Sequence, residues 1–175
     1  LGAPDDSFDV YFTDPPYYDN IPYSYISDIF YVWQKRILKD AERELYSSTL
    51  TPKDRELVAY VGDDGDKAAA KVRFEKGLTE AFTEGARTVK SNGIGCVVFA
   101  HQTTEGWEAL LASLIAGGWV ITSSWPIATE RSVRPRAHES AALSTSIHLV
   151  CRSREEDAHV GDWAEVLREL PSRVG

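Results

Sequence analysis

The 175-residue chain carries 27 acidic against 19 basic side chains, a formal charge of −8, and 43% of it is hydrophobic, with five tryptophans. Such a composition excludes a disordered segment, and the length suits one domain with a sizeable core. No apolar run reaches the roughly 20 residues of a membrane span and no signal-peptide pattern opens the chain, while the acidic balance works against broad electrostatic binding of nucleic acid.

Cys96 and Cys151 are the only cysteines. They form no pair at metal-ligand spacing, which argues against zinc or another metal and for reduced thiols in a cytoplasmic protein. Methionine is absent altogether, so the sequence is expected to be part of a longer protein.

After a polar lead-in to Ser7, residues 8–13 read as a mostly apolar strand, the pattern of a central parallel strand covered on both faces. Asp14-Pro15-Pro16-Tyr17 follows directly. Two prolines have fixed φ and no N–H, so they cannot continue a ladder and they stiffen the turn. The Pro15 carbonyl is left free to accept, with the Asp14 carboxylate beside it. Two adjacent acceptors suit the two N–H groups of an exocyclic amine and would draw its lone pair toward an electrophilic methyl group. Tyr17 offers a flat face for a base. A plain Pro-Pro turn closing a strand is the alternative.

Residues 18–23 read as a loop, with Tyr18 and Asn20 as candidate substrate contacts and Ser24 as a helix cap. Ile26, Ile29, Phe30, Trp33 and Ile37 form one apolar stripe of a helix over 25–46, with Gln34, Lys35, Arg36 and Lys39 facing away. The tyrosines at 17, 18, 23 and 25 divide between a base pocket and plain aromatic packing. From 47 to 66 the pattern suggests a mobile insertion with a short apolar patch at 57–61. Its Gly62-Asp63-Asp64-Gly65 lacks the following helix that a dinucleotide loop requires.

A long amphipathic helix is expected over 67–91, with Phe74, Leu78, Ala81, Phe82 and Val89 on one face and Asn92-Gly93 as its cap. Residues 94–100 form the second strand, and Gly93-x-Gly95 precedes it where a cofactor loop should follow one. His101 and Gln102 then fall on the same sheet edge as Asp14, His101 serving either function or a structural hydrogen bond. Trp107, Leu110, Leu111, Leu114 and Ile115 mark a third helix ended by Gly117-Gly118.

Strands are predicted over 119–125, closed by Pro126, and over 143–151. With no helix between them they are expected to be antiparallel neighbours. The connecting loop carries Arg131, Arg134, Arg136 and His138. If the third strand runs parallel to the first two, this loop hangs over the edge holding Asp14, and its arginines are candidate phosphate contacts. Asp162 would cap a final helix containing Trp163, Val166, Leu167 and Leu170 and stopped by Pro171.

The order strand, Asp-Pro-Pro-Tyr, helix, helix, strand, helix, strand, basic loop, strand resembles the C-terminal catalytic half of class I S-adenosylmethionine-dependent amino-methyltransferases. The stretch from Thr13 to Trp33 is most similar to the large adenine-specific DNA methylase-like proteins of bacteria and archaea, and Ser144 to Arg152 is similar to their last core strand. The resemblance implies an α/β, Rossmann-like methyltransferase sheet of seven strands, of which strands four to seven are present, the last inserted antiparallel. It implies that Asp14 and Pro15 hold the target amine, that Tyr17 stacks on the flipped base, and that Asp14 also lies near the cofactor, S-adenosyl-L-methionine. The family's glycine loop for that cofactor is absent, so a missing N-terminal half is an expected partner, DNA is another, and the chain by itself is expected to be inactive. Adenine N6 is the favoured target and cytosine N4 the next. The alternatives are an RNA or protein amino-methyltransferase and a non-catalytic module for assembly or nucleic-acid binding.

Overall fold

A computed structural model describes residues 2–18, 21–59, 65–128, 145–155, 158 and 162–173. Its elements are β1 (Phe8–Thr13), α1 (Tyr23–Leu38), α2 (Lys67–Thr88), β2 (Val89–Phe99), α3 (Thr104–Ala116), β3 (Trp119–Ala128), β4 (Thr145–Ser153) and α4 (Trp163–Arg173). The four strands form one open mixed sheet in the order β1-β2-β4-β3. β1 and β2 are parallel, and β4 is antiparallel to both its neighbours, so β3 runs parallel to β1 and β2. The expected antiparallel pairing of the last two strands is thus present.

Helices α2 and α3 pack on each other and on one face of this sheet. The core between them holds Phe74, Leu78, Phe82, Val97, Phe99, Leu110, Leu114, Trp119 and Leu149. Two glycines make room for aromatics. A Cβ on Gly95 would lie 2.5 Å from the Trp119 ring, and one on Gly85 would lie 2.8 Å from the Tyr11 ring. With both positions bare, Trp119 reaches across the sheet and stacks on Tyr11 at 5.6 Å. The buried indole N–H donates to the Phe82 carbonyl at 2.8 Å, which satisfies the one polar atom this arrangement takes out of water.

On the opposite face Val98 and Ser146 are buried, whereas the residues toward its β1 and β3 edges are open among the described residues. Alternation along the strands places Val10 beside Ile94, Phe12 beside Cys96 and Val150, and Val98 beside His148 and Trp125 on that face. Phe8, Val10, Phe12 and Trp125 are exposed there, Phe12 at 62%. The expectation that β1 is covered on both faces is therefore corrected: it is an edge strand, and only its Tyr11 side meets the helices.

A second correction concerns α1. The stripe Ile26, Ile29, Phe30, Trp33 and Ile37 faces solvent, each residue between 58% and 78% exposed. The polar side of the helix is the one held, by the returning segment 47–59. Tyr31 is buried there, its hydroxyl donating to the Ser48 carbonyl at 3.0 Å, and Lys35 donates to the same carbonyl. Asp28 accepts from Thr51 and pairs with Lys53 at 2.7 Å. Ser24 does not cap α1 by itself; the Glu56 carboxylate accepts from its backbone N–H at 3.1 Å and its hydroxyl at 2.5 Å, so the anion at the helix N-terminus comes from a distant residue. The helix ends at Leu38, not near 46, with Ala41 and Glu42 both donating to the Leu38 carbonyl. Asp40, Glu42 and Glu44 crowd that end with acids, which oppose the helix dipole. These ties leave little of the described part of the expected mobile insertion unheld.

Smaller differences have local causes. α2 passes straight into β2 at Val89, whose φ of −84° and ψ of 138° are extended, so Asn92-Gly93 lies inside the strand and not at a cap. β3 runs on through Pro126 to Ala128 because it is an edge strand, where a missing N–H costs no ladder bond. Asp162 does accept from Ala164 N–H, and α4 continues past Pro171 to Arg173.

Candidate active site at the exits of β1 and β2

Parallel β1 and β2 deliver Asp14-Pro15-Pro16-Tyr17 and Ala100-His101-Gln102 to one edge of the sheet. Asp14 is exposed, Pro15 is buried and Tyr17 is half-buried. The Tyr17 ring stands edge-on to Phe99, the last residue of β2, at 5.3 Å. Burial pushes its phenol well above the ordinary value, and the hydrogen-bonding reach and charge of the Asp14 carboxylate add to the shift. The carbonyl of Pro16 accepts from the Tyr18 N–H at 3.1 Å. No described residue donates to the Pro15 carbonyl in the backbone network.

Tyr18, the candidate substrate contact next in the chain, is built into the fold. Its φ of +48° is rare for an aromatic residue and turns the chain inward, so the side chain is buried at 8% exposure. The ring lies edge-on to both Phe74 and His101, and its hydroxyl donates to Glu105 in the first turn of α3 at 3.2 Å. Ala59 donates to its carbonyl at 2.8 Å. Tyr18 thus anchors the exit turn. Tyr23 and Tyr25 are half exposed, Tyr25 beneath the Lys53 ammonium at 4.9 Å.

His101 is tied into the fold. Its Nδ1 accepts from the Thr103 N–H at 3.2 Å, its ring stacks on Phe99 at 6.2 Å, and its carbonyl accepts from the Trp107 indole at 3.1 Å. A Cβ on Gly106 would fall 2.4 Å from the ring, so this glycine is what lets α3 start against His101. Thr103 caps α3 by accepting from Gly106 N–H.

Neither a family model nor a curated protein matches the sequence. The site therefore rests on its own chemistry.

Asn20, Arg131, Arg134, Arg136 and His138 lie outside the described residues. The two ends of the arginine loop do not: Ala128 and Thr145 pair in register at the exit of β3, on the same edge as Asp14. Of the features the resemblance implies for binding S-adenosyl-L-methionine, the described residues carry few. Asp14 is an exposed carboxylate at this edge, but Gly93 and Gly95 are spent inside β2 and among the described residues no glycine loop follows a strand here. Three or more potential metal ligands nowhere cluster among the described residues, and no described helix is long and apolar enough to cross a membrane.

Phe99, Glu105 and Ala59 are the supports the sequence left unmarked. Phe99 was within reach, since alternation along a buried strand places every second residue on the helix side. Glu105 and Ala59 meet Tyr18 only through the left-handed turn, which no glycine or asparagine announces.

Proposed function

We propose that this chain is the amine-presenting half of an S-adenosylmethionine-dependent DNA amino-methyltransferase, with adenine N6 the favoured target and cytosine N4 the next. The observation that carries the reading is an exposed Asp14 followed by Pro15, whose carbonyl accepts from no described residue, at the C-terminal end of a parallel strand. That end of an open α/β sheet is where ligands bind. The strand order with an antiparallel β4 between β2 and β3 supports it further.

Asp14 and the Pro15 carbonyl each accept one N–H of the target amine, which leaves the nitrogen lone pair directed away from both. Tyr17, braced edge-on by Phe99, offers one ring face to a flipped base. The cofactor would supply a methyl group on a sulfonium, and most of its binding site belongs to the preceding half of the longer protein. That half would pair a strand with the free edge of β1 and lay its helices over the sheet face opposite α2 and α3, since an uncovered apolar face and an open edge are what an α/β layer normally buries. The loop carrying Arg131, Arg134 and Arg136 would contact DNA phosphates, supplying local positive charge in a chain of net charge −8.

Transfer of labelled methyl from S-adenosylmethionine to duplex DNA by the longer protein tests this, with modified-base sequencing to identify the product. Asp14→Ala should lower the rate about 100-fold or more, the scale of losing one positioned polar partner. Full activity in that variant would end the proposal. Low-micromolar binding of S-adenosylmethionine to the 175-residue chain in calorimetry would overturn the division into halves.

A further inference from the structure

We infer that α1 is a self-association surface, pairing antiparallel with α1 of a second copy of this chain about a two-fold axis near Phe30. The inference is independent of the proposed activity. Ile26, Ile29, Phe30, Trp33 and Ile37 stand in one stripe, exposed between 58% and 78%, while the opposite side of the helix is already occupied by residues 47–59. No described element packs on the stripe. Five such side chains of roughly 200 Å² each, about two thirds exposed, present roughly 600 Å² per copy, so a pair would bury about 1,200 Å², the lower bound of a specific interface. A lone patch of that size is also at the top of what monomers expose.

Charge selects the direction. Lys35 and Asp28 are held on the side away from the stripe, by the Ser48 carbonyl and by Lys53, so the charge at the rim of the stripe is Arg36. Parallel pairing would set Arg36 against Arg36. Antiparallel pairing about Phe30 separates the two by about 18 Å along the helices at 1.5 Å per residue. The helix dipoles also oppose each other favourably in this arrangement. Arg36 lies 5.0 Å over the Trp33 ring, so its stem widens the stripe while its charge stays at the rim.

The test is the mass of the chain in solution by light scattering and sedimentation. Wild type should give twice the 19.5 kDa of one chain, and Ile29→Asp and Trp33→Glu should each return it to one. Both positions are exposed, so far-ultraviolet circular dichroism should be unchanged in either variant. In a Cys96→Ser background, oxidation should cross-link Phe30→Cys, close to the axis. It should spare Ile37→Cys, whose two copies would be about 21 Å apart along the helices at 1.5 Å per residue. A single-chain mass for wild type at the highest soluble concentration overturns the inference. So does a dimer that survives Ile29→Asp and is lost in Phe12→Asp, which would place association on the sheet face opposite α2 and α3, and cross-linking of both cysteine variants overturns the antiparallel direction.

Discussion

The ring of Tyr17 stands edge-on to Phe99 with centroids 5.3 Å apart, and this contact ties the turn after β1 to the end of β2. Phe99 is fully buried and also meets His101 and Trp107. Truncation to alanine leaves a cavity under three aromatic neighbours, so Phe99→Ala should lose about 3–5 kcal/mol in urea unfolding. Tyr17→Phe keeps the ring contact and should cost less than about 1 kcal/mol. In the longer protein we propose, the two should separate further, since Phe99→Ala loosens the turn bearing Asp14 and Tyr17→Phe does not.

Gly95 sits under the Trp119 indole, and an added methyl would meet that ring at 2.5 Å. Trp119 is fully buried and fixed by its hydrogen bond to Phe82, so it cannot yield without breaking that bond. Gly95→Ala should therefore destabilise the chain by about 1–3 kcal/mol through overpacking. Gly2→Ala, with open space around it, serves as the control and should leave the unfolding midpoint in place.

These two sites show what the sequence could reveal. The strand at 8–13, the turn prolines, the third helix with its glycine stop, and the antiparallel pairing of the last strands follow from local signals: apolar runs, missing N–H groups and the absence of a helix in between. Three features were hidden. Gly93-x-Gly95 reads as a turn because nothing local says that an indole from 24 positions away will need the space over Gly95. The apolar stripe of α1 predicts a helix correctly but cannot say that the buried side is the polar one, because Tyr31, Asp28 and Lys35 find their partners in residues 45–53. Tyr18 reads as a ligand aromatic because its positive φ is set by burial against Phe74 and His101, not by residue type.

Acid should weaken the fold partly through Glu84. Hydrogen bonds from Arg87, at 2.6 and 2.8 Å, hold its carboxyl down to about 2 from an ordinary 4.5. A carboxyl lowered in the folded state binds fewer protons there than when unfolded, so its contribution is complete above the unfolded value and is lost as pH falls toward the folded one. The urea midpoint of wild type should accordingly drop between pH 4.5 and about 2, and Glu84→Gln should show a shallower decline over that window with little difference in slope at neutral pH. Equal slopes for both proteins would place the acid sensitivity in other carboxyls.

The two thiols should differ in reactivity. Cys151 is fully buried and its thiol is pushed up to about 11 by burial, the nearby Cys96 adding to the shift. Gly95 pairs with Cys151 and Cys96 with Val150, so the two side chains point to opposite faces of the sheet and cannot join in a disulfide. A thiol reagent at pH 8 should modify Cys96 in the native chain and reach Cys151 only after urea unfolding. Prompt modification of both in the native state would mean that the helix-covered face opens readily.

Phe12 offers a test of where the rest of the domain would lie. It is 62% exposed on the sheet face opposite α2 and α3, edge-on to His148 at 6.3 Å. In the 175-residue chain, Phe12→Asp exchanges an exposed ring for a hydrated carboxylate and should move stability by no more than about 0.5 kcal/mol. In the longer protein we propose, helices of the preceding half cover this position, and the same substitution buries a carboxylate without a partner. The cost there should rise to several kcal/mol, by the desolvation of an unpaired charge. Thermal unfolding of both proteins, each with and without the substitution, reads the difference directly. A small effect in the chain with a large one in the longer protein supports a layer over Phe12, whereas equal small effects would leave that face open to solvent in both and remove the structural basis for dividing the domain into halves.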